Sequence, residues 1–112
     1  MGKFPYFTEV HDEIREIAKG AAEEFKKTAV EADKKHDYKI IEKNLKRLAE
    51  LNLIGIHIPT EYGGEGLDFV GHCVALEEIA KGCLSTAFSF NTQRLAMDAI
   101  RLGGTDAQKK KY

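Results

Sequence analysis

Four histidines, two cysteines and a cluster of glycines are the residues of this chain whose types best suit chemistry. The histidines are His11, His36, His57 and His72, and the cysteines are Cys73 and Cys83. Imidazole titrates near neutral pH and ligates metals, and a thiolate is both nucleophile and ligand. A metal site needs such groups at converging spacings, as in CxxC or two histidines one helical turn apart. Neither spacing occurs, because His72 and Cys73 are adjacent and Cys83 lies ten residues on. No metal is expected, and the histidines read as exposed or internally satisfied single residues. Two cysteines cannot build a disulfide framework, and they fit a reducing, cytoplasmic setting. The cluster Gly63-Gly64-Glu65-Gly66 has neither the GxGxxG nor the Walker spacing of a phosphate loop. It reads as a sharp turn whose glycines allow positive φ. Lys109, Lys110 and Lys111 read as a solvated helix face.

The most informative segment lies between residues 85 and 102. Ala87, Phe88, Phe90, Leu95, Ala96, Met97, Ala99 and Ile100 are distributed almost all round a helix there, so much of it is expected to be buried. Ser89, Asn91, Thr92 and Gln93 nevertheless sit in its middle, and buried polar groups need partners. Phe88, Asn91 and Leu95 share one face at steps of three and four. Two readings stay open. The face is a mixed wall for a ligand with an apolar body and few polar atoms, or its polar groups bond to neighbouring helices or lie at the surface.

The elements that hold these residues read as helices. Val10, Ile14, Ile17, Ala18, Ala21, Phe25, Ala29 and Ala32 set a helical stripe over about residues 9–34, capped by Thr8. Gly20 marks a bend or a close helix crossing in it. A second helix runs from about 38 to 51, capped by Asp37, with Ile41, Leu45, Leu48 and Ala49 inward and Asn52 left-handed at its end. Leu53 to Pro59 is an extended buried connector rather than a strand. Asp68 caps a third helix reaching Lys81, with Phe69, Cys73, Leu76 and Ile79/Ala80 inward and Gly82 ending it. Ser85 caps the fourth helix, which Gly103-Gly104 stops. Thr105-Asp106-Ala107-Gln108 forms a capping box for a fifth, yet the sequence stops at Tyr112, so it reads as cut from something longer.

The expected fold is all-α: a compact antiparallel bundle of four main helices plus a truncated fifth, with an irregular glycine-rich connector between helices 2 and 3. Its 112 residues, 43% hydrophobic and 31% charged, suit one domain spanning 1–112. Seventeen basic against eighteen acidic residues give a net charge of −1, which argues against nucleic-acid binding. No apolar window of about 18 residues exists to span a membrane. The start, Met1 to Pro5, lacks the apolar stretch of a secretory signal, and Tyr6 stands where myristoylation of Gly2 wants Ser or Thr.

Four segments, in register, resemble the N-terminal helical domain of the acyl-CoA dehydrogenase family. Leu48-Ala49-Glu50-Leu51-Asn52-Leu53-Ile54-Gly55-Ile56 is similar to its LAELGLLGI, and Pro59-Thr60-Glu61-Tyr62-Gly63-Gly64-Glu65-Gly66-Leu67-Asp68 to its PxEYGGxGLD turn. Ala75-Leu76-Glu77-Glu78-Ile79-Ala80 resembles its ALEELA helix, and Gly104-Thr105-Asp106-Ala107-Gln108-Lys109-Lys110-Lys111-Tyr112 its GTxxQKxxY start of the next helix. The resemblance covers about residues 7 to 112. Asn52 departs from the usual glycine, and prolines common in the first two helices are missing near Lys27-Thr28 and Ile40-Ile41.

The resemblance implies an FAD flavoenzyme that oxidises acyl-CoA thioesters to trans-2-enoyl-CoA. A glutamate removes the α-proton while the β-hydrogen leaves as hydride to flavin. It also implies an electron-transfer acceptor and a homo-oligomer for the parent enzyme. The base, the β-domain and most flavin contacts of that family lie beyond this segment, so no catalytic residue is assigned and the segment alone is expected to be inactive. Aligned on Gly104-Thr105, Ala87, Phe88, Asn91 and Leu95 fall where the family faces its acyl chain. Bulky Phe88 and polar Asn91 then imply a shorter or branched chain. The alternatives are a self-standing helical module that binds a lipid or partner helix, and a structural association domain.

Overall fold

In the computed structural model, which describes residues 8–112, Thr8 is extended and opens α1, Glu9–Lys35. The arguments on Met1 to Pro5, Gly2 and Tyr6 fall outside the described residues. Glu9 and Asp12 sit at the positive end of the α1 dipole, and Lys34 and Lys35 at its negative end. His36, left-handed at φ 49°, closes the helix. In α2, Tyr38–Glu50, the Asp37 carboxylate accepts from the Lys39 N–H at the first turn. Asn52 follows at φ 60°, the left-handed stop expected of it. The connector then folds into turns around a single 3-10 turn at Thr60–Tyr62, burying Leu53 and Ile56. Three helices complete the order: α3, Phe69–Gly82; α4, Leu84–Gly103; and α5, Asp106–Lys111. No strand occurs among the described residues. The architecture is the all-α one expected, drawn out as a slab of 41 × 36 × 19 Å.

α1 packs most extensively on α3, α3 also meets α4, and α2 bridges α1 to α4. The core gathers Ile14, Ala18, Ala21, Phe25, Leu48, Leu53, Ile56, Val74, Ala75, Ile79, Ala87 and Phe90. Helix faces differ from the expected stripes in several places. On α1, Val10 and Ile17 are exposed, whereas His11 and Arg15 are buried. The reason is that α3 supplies partners: Asp68 for His11 and Glu78 for Arg15. On α2 the buried polar residue is Asn44, and Ala49 faces outward. On α3, Phe69 and Cys73 are exposed, while Gly71, His72, Val74, Ala75, Glu78 and Ile79 are buried. Small residues let α3 approach α1 closely. The tight crossing is at Gly82, where a Cβ would run into the Ala22 carbonyl, and not at Gly20, where nothing lies within 4 Å.

Cys83, not Ser85, occupies the N-cap of α4, so a single residue separates the end of α3 from the start of this helix. Nor is α4 buried all round. Thr86, Ala87, Phe90 and Arg94 face inward, and large apolar side chains remain outside. Asn44 donates from Nδ2 to Thr86 Oγ1 at 3.0 Å, and Thr86 donates to Cys83 Sγ at 3.1 Å, which ties α2 to the start of α4.

Candidate functional site

The outer face of α4 carries a row of apolar side chains at helical spacing. Leu84, Phe88, Leu95 and Leu102 are 73%, 73%, 62% and 76% exposed. Half-buried Asn91 lies between Phe88 and Leu95 in the same row. The row is open to one side rather than closed into a cavity. Phe88 also borders a cleft of about 390 Å³ against the end of α1 and the start of α2, where His36, Tyr38 and Ile41 form the opposite bank. Of the four positions singled out in the sequence, Phe88, Asn91 and Leu95 therefore stand together, while Ala87 is 2% exposed and belongs to the core.

A polar layer lies beneath this row. His72 Nε2 and Asn91 Oδ1 are hydrogen-bonded at 3.2 Å. The His72 ring stacks on Phe90 with centroids 4.9 Å apart and lies 6.3 Å from Phe69 on the other side. The edge of His57 approaches at 6.0 Å. Arg94 donates from Nε to Asp98 Oδ2 at 3.1 Å and sets its guanidinium 4.6 Å above the exposed Phe69 ring. Arg101 donates to the other Asp98 oxygen at 3.2 Å, which His57 Nε2 approaches only to 3.4 Å. Both His57 nitrogens, His72 Nδ1 and Arg94 Nη1 are buried without a hydrogen-bond partner.

Electrostatics follow from that burial. Desolvation, with the Arg94 charge, lowers the His57 pKa to about 4, and the Asp98 carboxylate offsets this only in part. Desolvation also lowers His72 against the opposing effect of its Asn91 bond. Burial acts to raise the Asp98 carboxyl, but the Arg101 hydrogen bond and the Arg94 and His57 charges outweigh it and hold the group low. Both histidines are thus neutral at physiological pH.

The histidines were expected to be exposed or satisfied singles. His36 is exposed and His11 is bonded, but His57 and His72 form a buried pair. The pair, with Arg94 and Asp98, has no sequence signature. Its members are separated along the chain and converge only through packing. Among the described residues no three His, Cys, Asp or Glu side chains are grouped to hold a metal, and Cys73 and Cys83 are free thiols.

The glycine turn is a closed turn and not a phosphate cradle. Gly63 and Gly66 have φ of 89° and 65°, as the turn reading requires. The N–H groups of Gly63, Gly64, Glu65 and Gly66 donate to the carbonyls of Thr60, Pro59, Gly55 and Ile58. A Cβ on Gly64 would strike the Ile58 carbonyl. The turn's donors are consumed in closing the connector, so they do not present the row of free N–H groups that grips a phosphate. Among the described residues no helix is long and apolar enough to cross a membrane.

Residues 8–112 match the family model described as acyl-CoA dehydrogenase, N-terminal domain. Over 92 residues, 82% of the chain, it is 38% identical to the cyclohex-1-ene-1-carbonyl-CoA dehydrogenase of Syntrophus aciditrophicus. Over 106 residues, 93% of the chain, it is 32% identical to the short-chain specific acyl-CoA dehydrogenase of Bos taurus mitochondria. A solved chain described with the electron transferring flavoprotein of Acidaminococcus fermentans superposes with a TM-score of 0.85 at 35% identity, covering 97% of this chain. The chain spans 22% and 25% of the length of those two relatives and 29% of that solved chain.

Proposed function

The chain belongs to the acyl-CoA dehydrogenase family as an N-terminal domain, and we propose that its α4 face forms one wall of the acyl pocket in an FAD-dependent enzyme that desaturates short or branched acyl-CoA thioesters. The observation that carries this reading is the exposed row of Phe88, Asn91 and Leu95 on a helix otherwise anchored in the core. Such a face suits a ligand with an apolar body. Relatives named for cyclohexene-carbonyl and short-chain substrates support the limit on chain size, as does the bulk of Phe88. Residues 1–112 constitute a single helical domain of the parent enzyme in this reading.

FAD would supply the hydride acceptor in that enzyme. The connector's internally bonded N–H groups do not fit its pyrophosphate, so the flavin site belongs to other parts of the parent, and no residue of this segment is assigned a catalytic role. The segment by itself is then inactive. The parent's partners are the acyl-CoA substrate, an electron-transfer acceptor and further copies of itself, with no nucleic acid. The free thiols support a reducing, cytoplasmic location, although several relatives are named as mitochondrial.

Bleaching of flavin absorbance in the complete enzyme on adding butyryl-CoA or isovaleryl-CoA tests the activity. Phe88→Ala tests the wall. It is expected to raise kcat/KM for chains two to four carbons longer by roughly tenfold, the usual scale for opening space in an apolar pocket. No gain for longer chains would count against the placement of Phe88. The same exposed row supports a second reading, a self-standing lipid-binding or association module. A large rise in melting temperature of the 112-residue chain with a fatty acid would favour it.

A further inference from the structure

We propose that Asn91, its amide oriented by His72, is a hydrogen-bond donor that selects acyl groups bearing an acceptor oxygen over plain hydrocarbon chains, an inference that rests on the reading of α4 as a pocket wall. Phe88 and Leu95 flank Asn91 in the row, and both are apolar. The amide therefore supplies the polar character at this point of the face. Its orientation follows from the layer beneath. His72 is 2% exposed and packed on Phe90 and Phe69, so its ring has little room to turn. Its Nδ1 has no partner and its Nε2 faces Asn91 Oδ1, so we assign the one proton of the neutral ring to Nε2, the tautomer in which His72 donates to the amide oxygen. Asn91 Oδ1 is thereby engaged, and the Nδ2 amide protons are left without an acceptor among the described residues.

A chain lying along the row would rest its carbons on Phe88 and Leu95 and pass the amide between them. An unsubstituted chain strips water from Nδ2 and returns nothing. A hydroxyl, keto or carboxylate oxygen at that depth replaces the lost bond. The substrate class is therefore a short or branched acyl-CoA oxygenated along its acyl chain. His72 is a positioning residue here, since it acts through Asn91.

The experiment compares kcat/KM of the complete enzyme for an unsubstituted acyl-CoA and for its hydroxy and carboxy counterparts of equal length. The wild type is expected to favour at least one oxygenated substrate by about tenfold. Asn91→Asp keeps an acceptor for His72 but removes the donor, so the preference for the carboxy substrate is lost while a hydroxyl can still donate to the new carboxylate; Asn91→Leu removes both and is expected to abolish the preference for either. His72→Phe keeps the stack and loses the donor to Asn91, so the preference weakens. His72→Gln, whose amide nitrogen reaches the Nε2 position, restores it. A fold defect in His72→Phe leaves the outcome to the Asn91 pair. Turnover of the unsubstituted substrate with no preference in the wild type, or with the preference intact in Asn91→Leu, overturns the inference alone. No turnover of any acyl-CoA overturns the pocket reading and this inference together.

Discussion

On one side of α3 buried groups meet opposite charges across the seam; on the other several buried ring and guanidinium nitrogens face no acceptor. Toward α1, His11 accepts the Thr8 N–H at Nδ1 and donates from Nε2 to Asp68 at 2.9 Å. Asp68 also caps α3 through the Gly71 N–H, and these two bonds hold its carboxyl below the usual carboxylate range. Arg15 meets Glu78 at 3.3 Å in a buried pair, and Lys81 reaches the same carboxylate from outside. Toward α4, nitrogens of His57, His72 and Arg94 are buried without partners, and an apolar row is left uncovered above them. The contrast separates two tasks. The α1–α3 seam holds the domain together, whereas the α3–α4 seam spends stability on a layer that supports an outward face.

The largest effects should come from the α1–α3 seam. Glu78→Ala removes the carboxylate facing buried Arg15 and is expected to cost about 2–3 kcal/mol, the range for a buried charged group that loses one hydrogen-bonded partner. Urea denaturation followed by circular dichroism measures it, and a loss below about 1 kcal/mol would mean that packing alone secures this seam. Gly82→Ala comes next. Its Cβ would meet Ala22 backbone, which cannot move aside as a flexible side-chain end can, so about 1–3 kcal/mol is expected. Gly20→Ala is the control. With open space around it in the middle of α1, the same substitution should stabilise by up to roughly 1 kcal/mol. Equal signs for the two glycines would contradict the assignment of the close crossing.

Acidification should act on the α3–α4 seam. His57 titrates at about 4 in the folded protein against 6.5 when unfolded, and His72 is lowered in the same direction. Between those values the unfolded chain binds more protons, so stability falls as pH drops below about 6.5 and the loss from His57 levels off below about 4. One proton per histidine sets a limiting slope of about 1.4 kcal/mol per pH unit each. Urea midpoints across that pH window should show the slope, and His57→Gln should remove its own share. The groups facing His57 are Arg94, Arg101 and Asp98 on α4 and His72 on α3, and the Asp98 charge persists through most of that window because its own pKa is lowered. A flat profile in the wild type would show that the pair is solvated.

The helix order was legible because caps and stops are local. Thr8, Asp37, Asn52, Asp68 and the Thr105–Gln108 box each act within four residues, and each stands where the sequence put it. Which face a helix buries is not local. Val10 and Ile17 look like core by periodicity, yet the facing helix supplies Asp68 and Glu78, so His11 and Arg15 take the buried positions instead. Gly82 was legible as a helix end but not as a crossing, because that depends on Ala22, sixty residues earlier. Of the site, the shared face of Phe88, Asn91 and Leu95 was readable from spacing. The His72 bond beneath Asn91 was not, because it joins two helices across 19 residues. The bland reading of that helix's polar groups holds in both its halves: Asn91 bonds to a neighbouring helix, and Thr92 and Gln93 lie at the surface.

The smallest effect on stability should come from the row itself. Leu95→Ser and Phe88→Ser remove apolar side chains that are already 62% and 73% exposed, so little buried area is lost and no cavity is left. Each should change the unfolding free energy of the 112-residue chain by about 0.5 kcal/mol or less. In the complete enzyme the same substitutions should raise KM for acyl-CoA if, as proposed, the row is the wall that substrate covers. The two measurements must diverge if this face serves recognition. Should Leu95→Ser instead destabilise the isolated chain by more than about 1 kcal/mol, the leucine would already be covered there. A loss that grows with protein concentration would identify a second copy as the cover, since no described residue of the same copy covers Leu95. That result would move the face from substrate binding to self-association.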